Sequence, residues 1–361
     1  MECSRNRDSC HSLAPVGLWR ALSAICIAII AAASYSHNAR ISLSLTTIPF
    51  SNTIMPATTT SATTFAEQLE RAKNFDGYLA ALDQSGGSTP KALKAFGINE
   101  DSYVLGETSM FDAIHRIRSR IIASPSFEGN RTLGAILFEN TMDRDIEGIP
   151  TPTYLWERKK IIPFLKVDKG LAPLEKGVKL MKPMPDLDGL LERAKAKGIF
   201  GTKMRSYIQE YNEEGIQAIV NQQFEIGNQI LAKGLIPILE PEVDIHSPDK
   251  AKIEAFLKKK LLEGFDTKIT PGKAVMIKLS LPTKVNLYKD LVDHPNCVRV
   301  VALSGGYSRD EANQILDQQD GMIASFSRAL AEGLHDTMTD EEWNDCLDKS
   351  IASIFAASKK Q

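Results

Sequence analysis

The stretch Ala274-Val275-Met276-Ile277-Lys278-Leu279-Ser280-Leu281 decides how this chain is read. Its apolar and β-branched residues describe a short strand, and Lys278 stands near the C-terminal end of it. An ammonium buried among Val, Met, Ile and Leu costs so much desolvation that it must pair with a carboxylate or give up its proton. A neutral lysine is a nucleophile that attacks carbonyl carbons to form Schiff bases, so the question becomes what surrounds it.

Seven further runs share this character: Tyr78 to Asp83, Leu133 to Asn140, Ile161 to Asp168, Ile199 to Arg205, Leu235 to Glu242, Val298 to Ser304 and Met322 to Phe326. Between most of them lie amphipathic stretches with helical spacing, clearest at Leu187 to Ala196, Asn212 to Ala232 and Lys250 to Leu262. Each of the three is closed by a glycine near its end. Strand and helix in alternation imply a parallel sheet, and eight units in about 290 residues are the size of an α/β protein of the (β/α)8 TIM barrel type. The rival is an open doubly wound sheet. No Gly-x-Gly-x-x-Gly follows the first strand, and Gly86-Gly87 alone is too weak to support that reading.

Composition agrees with a globular enzyme-sized domain: 361 residues, 43% hydrophobic and 24% charged. The net charge of −2 gives no support to nucleic acid or an anionic membrane as a partner. Of five cysteines, only Cys297 and Cys346 lie beyond the first stretch, which is neither a disulfide framework nor a metal cluster. The six histidines are scattered without His-x-His or His-x-x-x-His spacing, so neither a metal nor another cofactor is expected.

Residues 1 to 64 are a different kind of sequence, with no lysine, two acids (Glu2 and Asp8) and arginines at 5, 7, 20 and 40. The mostly apolar run from Ala21 to Tyr35 has the length of a signal-peptide core, and Ser36 to Ala66 is Ser/Thr-rich and acid-free, as transit peptides are. Signal followed by transit region resembles the two-part address of proteins imported into complex algal plastids. The alternatives are a membrane anchor, or a cytoplasmic protein whose translation starts at Met55. The expected organisation is a targeting presegment over 1–64 and a barrel over 65–361.

Polar groups then gather at one end of the strands. At or just past the C-terminal ends stand Asp83, Lys166 with Asp168, Lys203 with Arg205, Glu240 with Glu242, Lys278, Ser304, and Ser325 with Arg328. In a barrel that end carries the active site. Residues two apart on a strand share a face, so each of the pairs points the same way.

The segments Leu79-Ala80-Ala81-Leu82-Asp83-Gln84-Ser85-Gly86-Gly87-Ser88, Phe164-Leu165-Lys166-Val167-Asp168-Lys169-Gly170, Lys203-Met204-Arg205, Ile238-Leu239-Glu240-Pro241-Glu242-Val243, Met276-Ile277-Lys278-Leu279, Leu303-Ser304-Gly305-Gly306 and Ser325-Phe326-Ser327-Arg328 carry a resemblance. Together, in this order, they resemble the class I fructose-bisphosphate aldolases, most closely the compact form of bacteria and some algae. The resemblance runs from about residue 65 to 358. It implies that Lys278 forms the Schiff base, that Glu240 is the general acid/base, and that Asp83, Lys203 and Glu242 support the chemistry. The partner it implies is a sugar bisphosphate, in glycolysis, gluconeogenesis or the Calvin cycle.

The residue types suit that reaction. Cleaving a carbon–carbon bond beside a ketone leaves a carbanion, and an iminium on Lys278 is an electron sink for it. Lys203 is expected to lower the pKa of Lys278, and Glu240, raised by burial, to protonate the departing water. Either Asp83 or Glu240 could take the proton of the C4 hydroxyl, and Glu242 is expected to hold the lysines in place. Ser304, Gly305, Gly306 and Arg328 fit a phosphate site built from the last two loops, with Lys166, Arg205, Ser85 and Ser88 as candidates for the other phosphate. For Ser85 and Ser88 the alternative is helix-capping turn serines. Two departures from the longer animal enzymes stand out. No tyrosine follows Tyr307, and Ala92 lies near where those enzymes have an arginine, so Lys91 or Lys94 is the candidate replacement. Other Schiff-base barrels such as transaldolases, metal-dependent aldolases and a non-catalytic scaffold are the rival readings. The sequence is compatible with a homo-oligomer and does not specify one.

Overall fold

The computed structural model describes residues 57–359, so the presegment reading, apart from its last eight residues, lies outside the described part. Eight parallel strands form a closed barrel: β1 (Tyr78–Leu82), β2 (Thr132–Leu137), β3 (Ile162–Lys166), β4 (Gly201–Ile208), β5 (Ile236–Val243), β6 (Val275–Ser280), β7 (Cys297–Leu303) and β8 (Met322–Phe326). Each strand pairs with the next, and β8 returns to β1 through Leu79 opposite Ser325. All eight strands expected from the sequence are present, in the expected order. The main helices are α1 (Ala57–Asn74), α2 (Thr89–Ala95), α3 (Thr108–Ala123), α4 (Leu187–Ala196), α5 (Glu213–Ala232), α6 (Lys250–Lys268), α7 (Arg309–Leu316) and α8 (Asp340–Ala357). Two boundaries differ from the sequence reading. Helix α1 starts ahead of residue 65, and α6 runs past Leu262 to Lys268, because Gly264 does not end it. Gly264 lies within that helix, where a Cβ would collide with the ring of Phe224 on α5.

Period-two alternation sorts the core into two shells. Ala80, Leu137, Leu165, Met204, Leu239, Ile277, Ala302 and Ala324 face outward and pack with the helices. Leu79, Ala81, Ile136, Ile162, Phe164, Ile236, Ile238, Met276, Val301 and Ile323 face inward and fill the barrel. The floor is closed from below by α1, whose Phe65 ring lies 5.1 Å from Phe200. Buried Arg299 of β7 caps the end of α1 by donating to the carbonyls of Ala72, Lys73 and Phe75. One step of two above the inward apolar layer come Asp83, Lys166, Lys203, Glu240, Lys278 and Ser325, which places them at the mouth.

The seam between β5 and β6 is one of the two shortest in the barrel, the other being β8–β1. Its ladder pairs only Ile238 with Met276 and Leu239 with Ile277, whereas β4 and β5 pair from Gly201–Ile236 to Ile208–Val243. The cause is in the sequence. The N–H of Ile236 points to β4, bonding Phe200 O, so the alternate positions 237, 239, 241 and 243 point to β6. Two of these are Pro237 and Pro241, which have no N–H to give. Ser280 makes up part of the loss: its hydroxyl donates to Val243 O at 2.6 Å and accepts from Val243 N at 3.0 Å. Ser280→Ala strands a buried backbone N–H and is expected to cost about 1–3 kcal/mol. Urea unfolding of the variant against the parent checks this, and an unchanged midpoint contradicts it.

Candidate active site

A cavity of about 1050 Å³ opens at the C-terminal ends of the strands. Of the residues singled out from the sequence, Asp83, Ser85, Ser88, Lys166, Lys203, Arg205, Glu240, Glu242, Lys278, Ser304, Gly305, Gly306 and Arg328 line it, and Lys94 is not among its lining residues. At its base, Lys203 Nζ lies 2.5 Å from Asp83 Oδ2 and 2.9 Å from Glu240 Oε2. The other oxygen of Glu240, Oε1, lies 3.1 Å from Lys278 Nζ. All four side chains are buried. The approach of Lys203 to Glu240 Oε2 is close but poorly aligned, and that oxygen has no well-formed hydrogen bond.

Around this core two further pairs complete the ring. Lys166 Nζ donates to Asp168 Oδ1 at 2.6 Å and to its carbonyl at 2.8 Å. The remaining oxygen of Asp168 accepts from Arg205 N at 3.1 Å. Arg205 itself pairs with Glu242. Glu242 therefore holds an arginine, not the lysines, which corrects the sequence reading. Four cations thus meet four carboxylates in one mouth.

These contacts fix the protonation states. Burial raises the Asp83 carboxyl, but Lys203 and Lys278 outweigh it and hold the group at about 2. For Glu240 the expectation was a pKa raised by burial. Burial does push it up, yet Lys203 and then Lys278 overcome that push and the net shift is downward. Glu240 therefore rests as a carboxylate. Burial alone would lower Lys203, but Asp83 and Glu240, with Asp168, raise it well above the ordinary lysine value. Lys166 is lowered, chiefly by burial, against the pull of Asp168.

At the rim, Gly305 and Gly306 have φ of 62° and 135°, a left-handed turn that glycine enters freely. A Cβ on Gly305 would press on Ile245 at 2.6 Å, and one on Gly306 would sit 3.6 Å from Arg328 Nη2, so the turn and that guanidinium are neighbours. Ser88 occupies the N-cap position of α2 but its side chain does not cap the helix; it donates to Ser85 O at 3.2 Å. Lys91 also lines the cavity. Among the described residues neither Lys91 nor Arg328 forms an ion pair, which leaves both cations available to an anion.

Two participants, Arg118 and Gln84, gave no sequence signal that was used. Buried Arg118 of α3 donates through Nη2 to Gln84 O at 2.7 Å and Gln84 Oε1 at 3.1 Å, and through Nη1 to Thr141 Oγ1 at 2.8 Å. Gln84 in turn donates to Ser327 Oγ at 2.6 Å. The signal was available: Arg118 falls on the same helical stripe as Ile114, Ile117, Ile121 and Ile122. Ser325, at the end of β8, keeps a buried hydroxyl with no hydrogen-bond partner among the described residues.

A closed parallel barrel with lysines and carboxylates paired at its C-terminal mouth is the architecture of an aldolase-type barrel. The fold matches that of Plasmodium falciparum fructose-bisphosphate aldolase, solved in complex with TRAP and a small-molecule inhibitor, with a TM-score of 0.68 over 85% of this chain and 97% of that one. At 19% identity this likeness is one of fold. No protein-family model matches the chain. In sequence it is 56% identical over 292 residues to the fructose-bisphosphate aldolase class 1 of Synechocystis sp., covering 81% of this chain and 97% of that relative. The chain belongs to the class I fructose-bisphosphate aldolase family.

Lys203→Met leaves Asp83 and Glu240 facing each other without their shared cation and is expected to cost about 3–5 kcal/mol near neutral pH. A carboxyl depressed to about 2 stabilises the fold above its unfolded pKa, and that contribution is lost as the pH falls through the folded value. The deficit of the variant, measured by urea unfolding, is therefore largest at pH 7 and shrinks between about pH 4 and pH 2.

Proposed function

We propose that this protein reversibly cleaves fructose 1,6-bisphosphate to glycerone phosphate and glyceraldehyde 3-phosphate through a Schiff base on Lys278. The observation that carries the reading is the Lys278–Glu240 contact of 3.1 Å at the base of the cavity. Glu240 rests ionised, so it can take the proton that Lys278 must lose to become a nucleophile. The free amine attacks the C2 carbonyl and a carbinolamine forms. Glu240, now protonated, gives its proton to the hydroxyl, which departs as water and leaves the iminium. As the C3–C4 bond breaks, its electron pair moves into the iminium and the C4 hydroxyl proton passes to a carboxylate, Asp83 or Glu240.

Lys203 holds both of these carboxylates in place and keeps them ionised between steps. Ser304, the Gly305-Gly306 turn and Arg328 are proposed to hold one phosphate. Lys166 and Arg205, with Ser85 and Ser88, are proposed for the other. The latter two cations are already paired with Asp168 and Glu242, so the phosphate would share them with those carboxylates.

Borohydride reduction in the presence of fructose 1,6-bisphosphate, followed by mass mapping, is expected to give an adduct on Lys278. No adduct, or one on another residue, overturns the mechanism. Lys278→Ala should abolish turnover, and Glu240→Gln should slow it by about 10²- to 10⁴-fold while an intermediate accumulates. Because the iminium serves as the electron sink, activity should survive EDTA; activity lost on chelation and restored by metal points to the metal-dependent class.

For location we propose import into a complex plastid, supported by the apolar run from Ala21 to Tyr35 and the acid-free Ser/Thr-rich stretch after it. A fluorescent fusion of residues 1–64 should collect in plastids, and cytoplasmic fluorescence overturns this.

A further inference from the structure

One buried charge beside the active site makes no direct ion pair among the described residues. Arg118 is 1% exposed; the Asp83 carboxylate attracts it from a distance, but among the described residues no carboxylate forms a direct ion pair with it. Its Nε is buried without a hydrogen-bond partner among the described residues. A buried cation in this state is costly, and a leucine or methionine would fill the same helical stripe without that cost. What Arg118 does instead is join loops. Through Thr141 it holds the helical turn Glu139–Met142 that follows β2, and through Gln84 it holds the loop that follows β1, one residue beyond Asp83. Gln84 carries the connection onward, since its Nε2 donates to Ser327 Oγ next to Arg328 after β8. Strands β8, β1 and β2 are neighbours in the barrel, so the chain of contacts spans three consecutive loops of the mouth. Asp83 lies inside that span, and Arg328 lies at its end.

We propose that Arg118, Gln84 and Ser327 form a brace that sets the position of the Asp83 loop according to whether an anion occupies the Arg328 site. Arg118 and Ser327 are positioning residues: they act through Gln84 and touch no reacting atom. Binding of a phosphate beside Arg328 draws on the residue adjacent to Ser327, and the 2.6 Å bond from Gln84 transmits that fixation to the backbone next to Asp83. The far end is immobilised by the buried guanidinium, which bonds both the carbonyl and the side chain of Gln84. The loop is thereby held from two sides, and each hold requires the Gln84 amide in one orientation: nitrogen to Ser327, oxygen to Arg118.

The brace is tested first without turnover, using inorganic phosphate as the probe on the full chain. Hydrogen exchange of segments 84–96 and 325–333 is followed by mass spectrometry with and without phosphate, in a parent chain that for this arm only carries Ser85→Ala, Ser88→Ala and Lys91→Ala, so that phosphate has no side-chain contact with the 84–96 segment itself. In the parent, phosphate should slow exchange in both segments. In Gln84→Met and Ser327→Ala it should still slow 325–333 and no longer affect 84–96. Protection of 84–96 that survives in both variants, or that is absent in the parent, overturns the proposal. This arm stands whether or not Lys278 forms a Schiff base.

The kinetic arm rests on the proposed aldolase reaction, with parent turnover as its control. Gln84→Met is expected to lower kcat about 10- to 100-fold while the melting temperature changes little. On an Arg328→Ala background the same change should cost at least about tenfold less, because the anion grip that the brace reports is already gone. Additive losses overturn the coupling. Arg118→Lys should recover part of the kcat lost in Arg118→Met, and if neither folds, the Gln84 and Ser327 variants decide the matter.

Discussion

One ammonium holds this site together. Lys203 rises from β4 into the centre of the mouth and touches carboxylates from β1 and β5, strands that stand on opposite sides of the barrel. Remove its charge and Asp83 and Glu240 repel each other and lose the strongest attraction that holds both pKa values down, leaving chiefly Lys278 to oppose their burial. The neighbouring pairs, Lys166 with Asp168 and Arg205 with Glu242, extend the same principle outward. Charge is buried here only in compensated form, and in the low-polarity base of the cavity this fixes geometry as firmly as packing does.

The barrel was legible because its two determinants are local. Period-two strands and glycine-punctuated helices show themselves in short windows, and strand ends are where polar residues interrupt apolar runs. The pairing of those residues was not legible, because it depends on which strands meet across the barrel. Lys278 illustrates the limit. Its neighbours Ile277 and Leu279 look like a desolvating environment in the sequence, but both face the helices. What Lys278 meets inside is Met276 below it and Glu240 beside it. The sequence left two states open for a buried lysine, paired with a carboxylate or neutral; Glu240 stands beside it, and the apolar residues that suggested its burial point elsewhere. Glu240 shows the same thing from the other side: burial could be read, the two lysines that overrule it could not.

Arg118 and Gly264 were missed for a related reason. A glycine near a helix end reads as a stop, and only the Phe224 ring in space explains why Gly264 sits inside α6. An arginine on an apolar stripe reads as a surface residue with imperfect periodicity. In three dimensions its partners come from residue 84 and residue 141, on two different loops.

The two prolines of β5 have a consequence for how the protein matures. Lys278 and Glu240 face each other across the β5–β6 seam, and that seam has few backbone bonds of its own until Ser280 engages Val243. Their meeting therefore requires that this sparsely paired seam has closed. A partly folded chain exposes a lysine with no carboxylate beside it and lacks the proton acceptor that makes that lysine reactive. Chemical competence is in this way tied to completion of the fold.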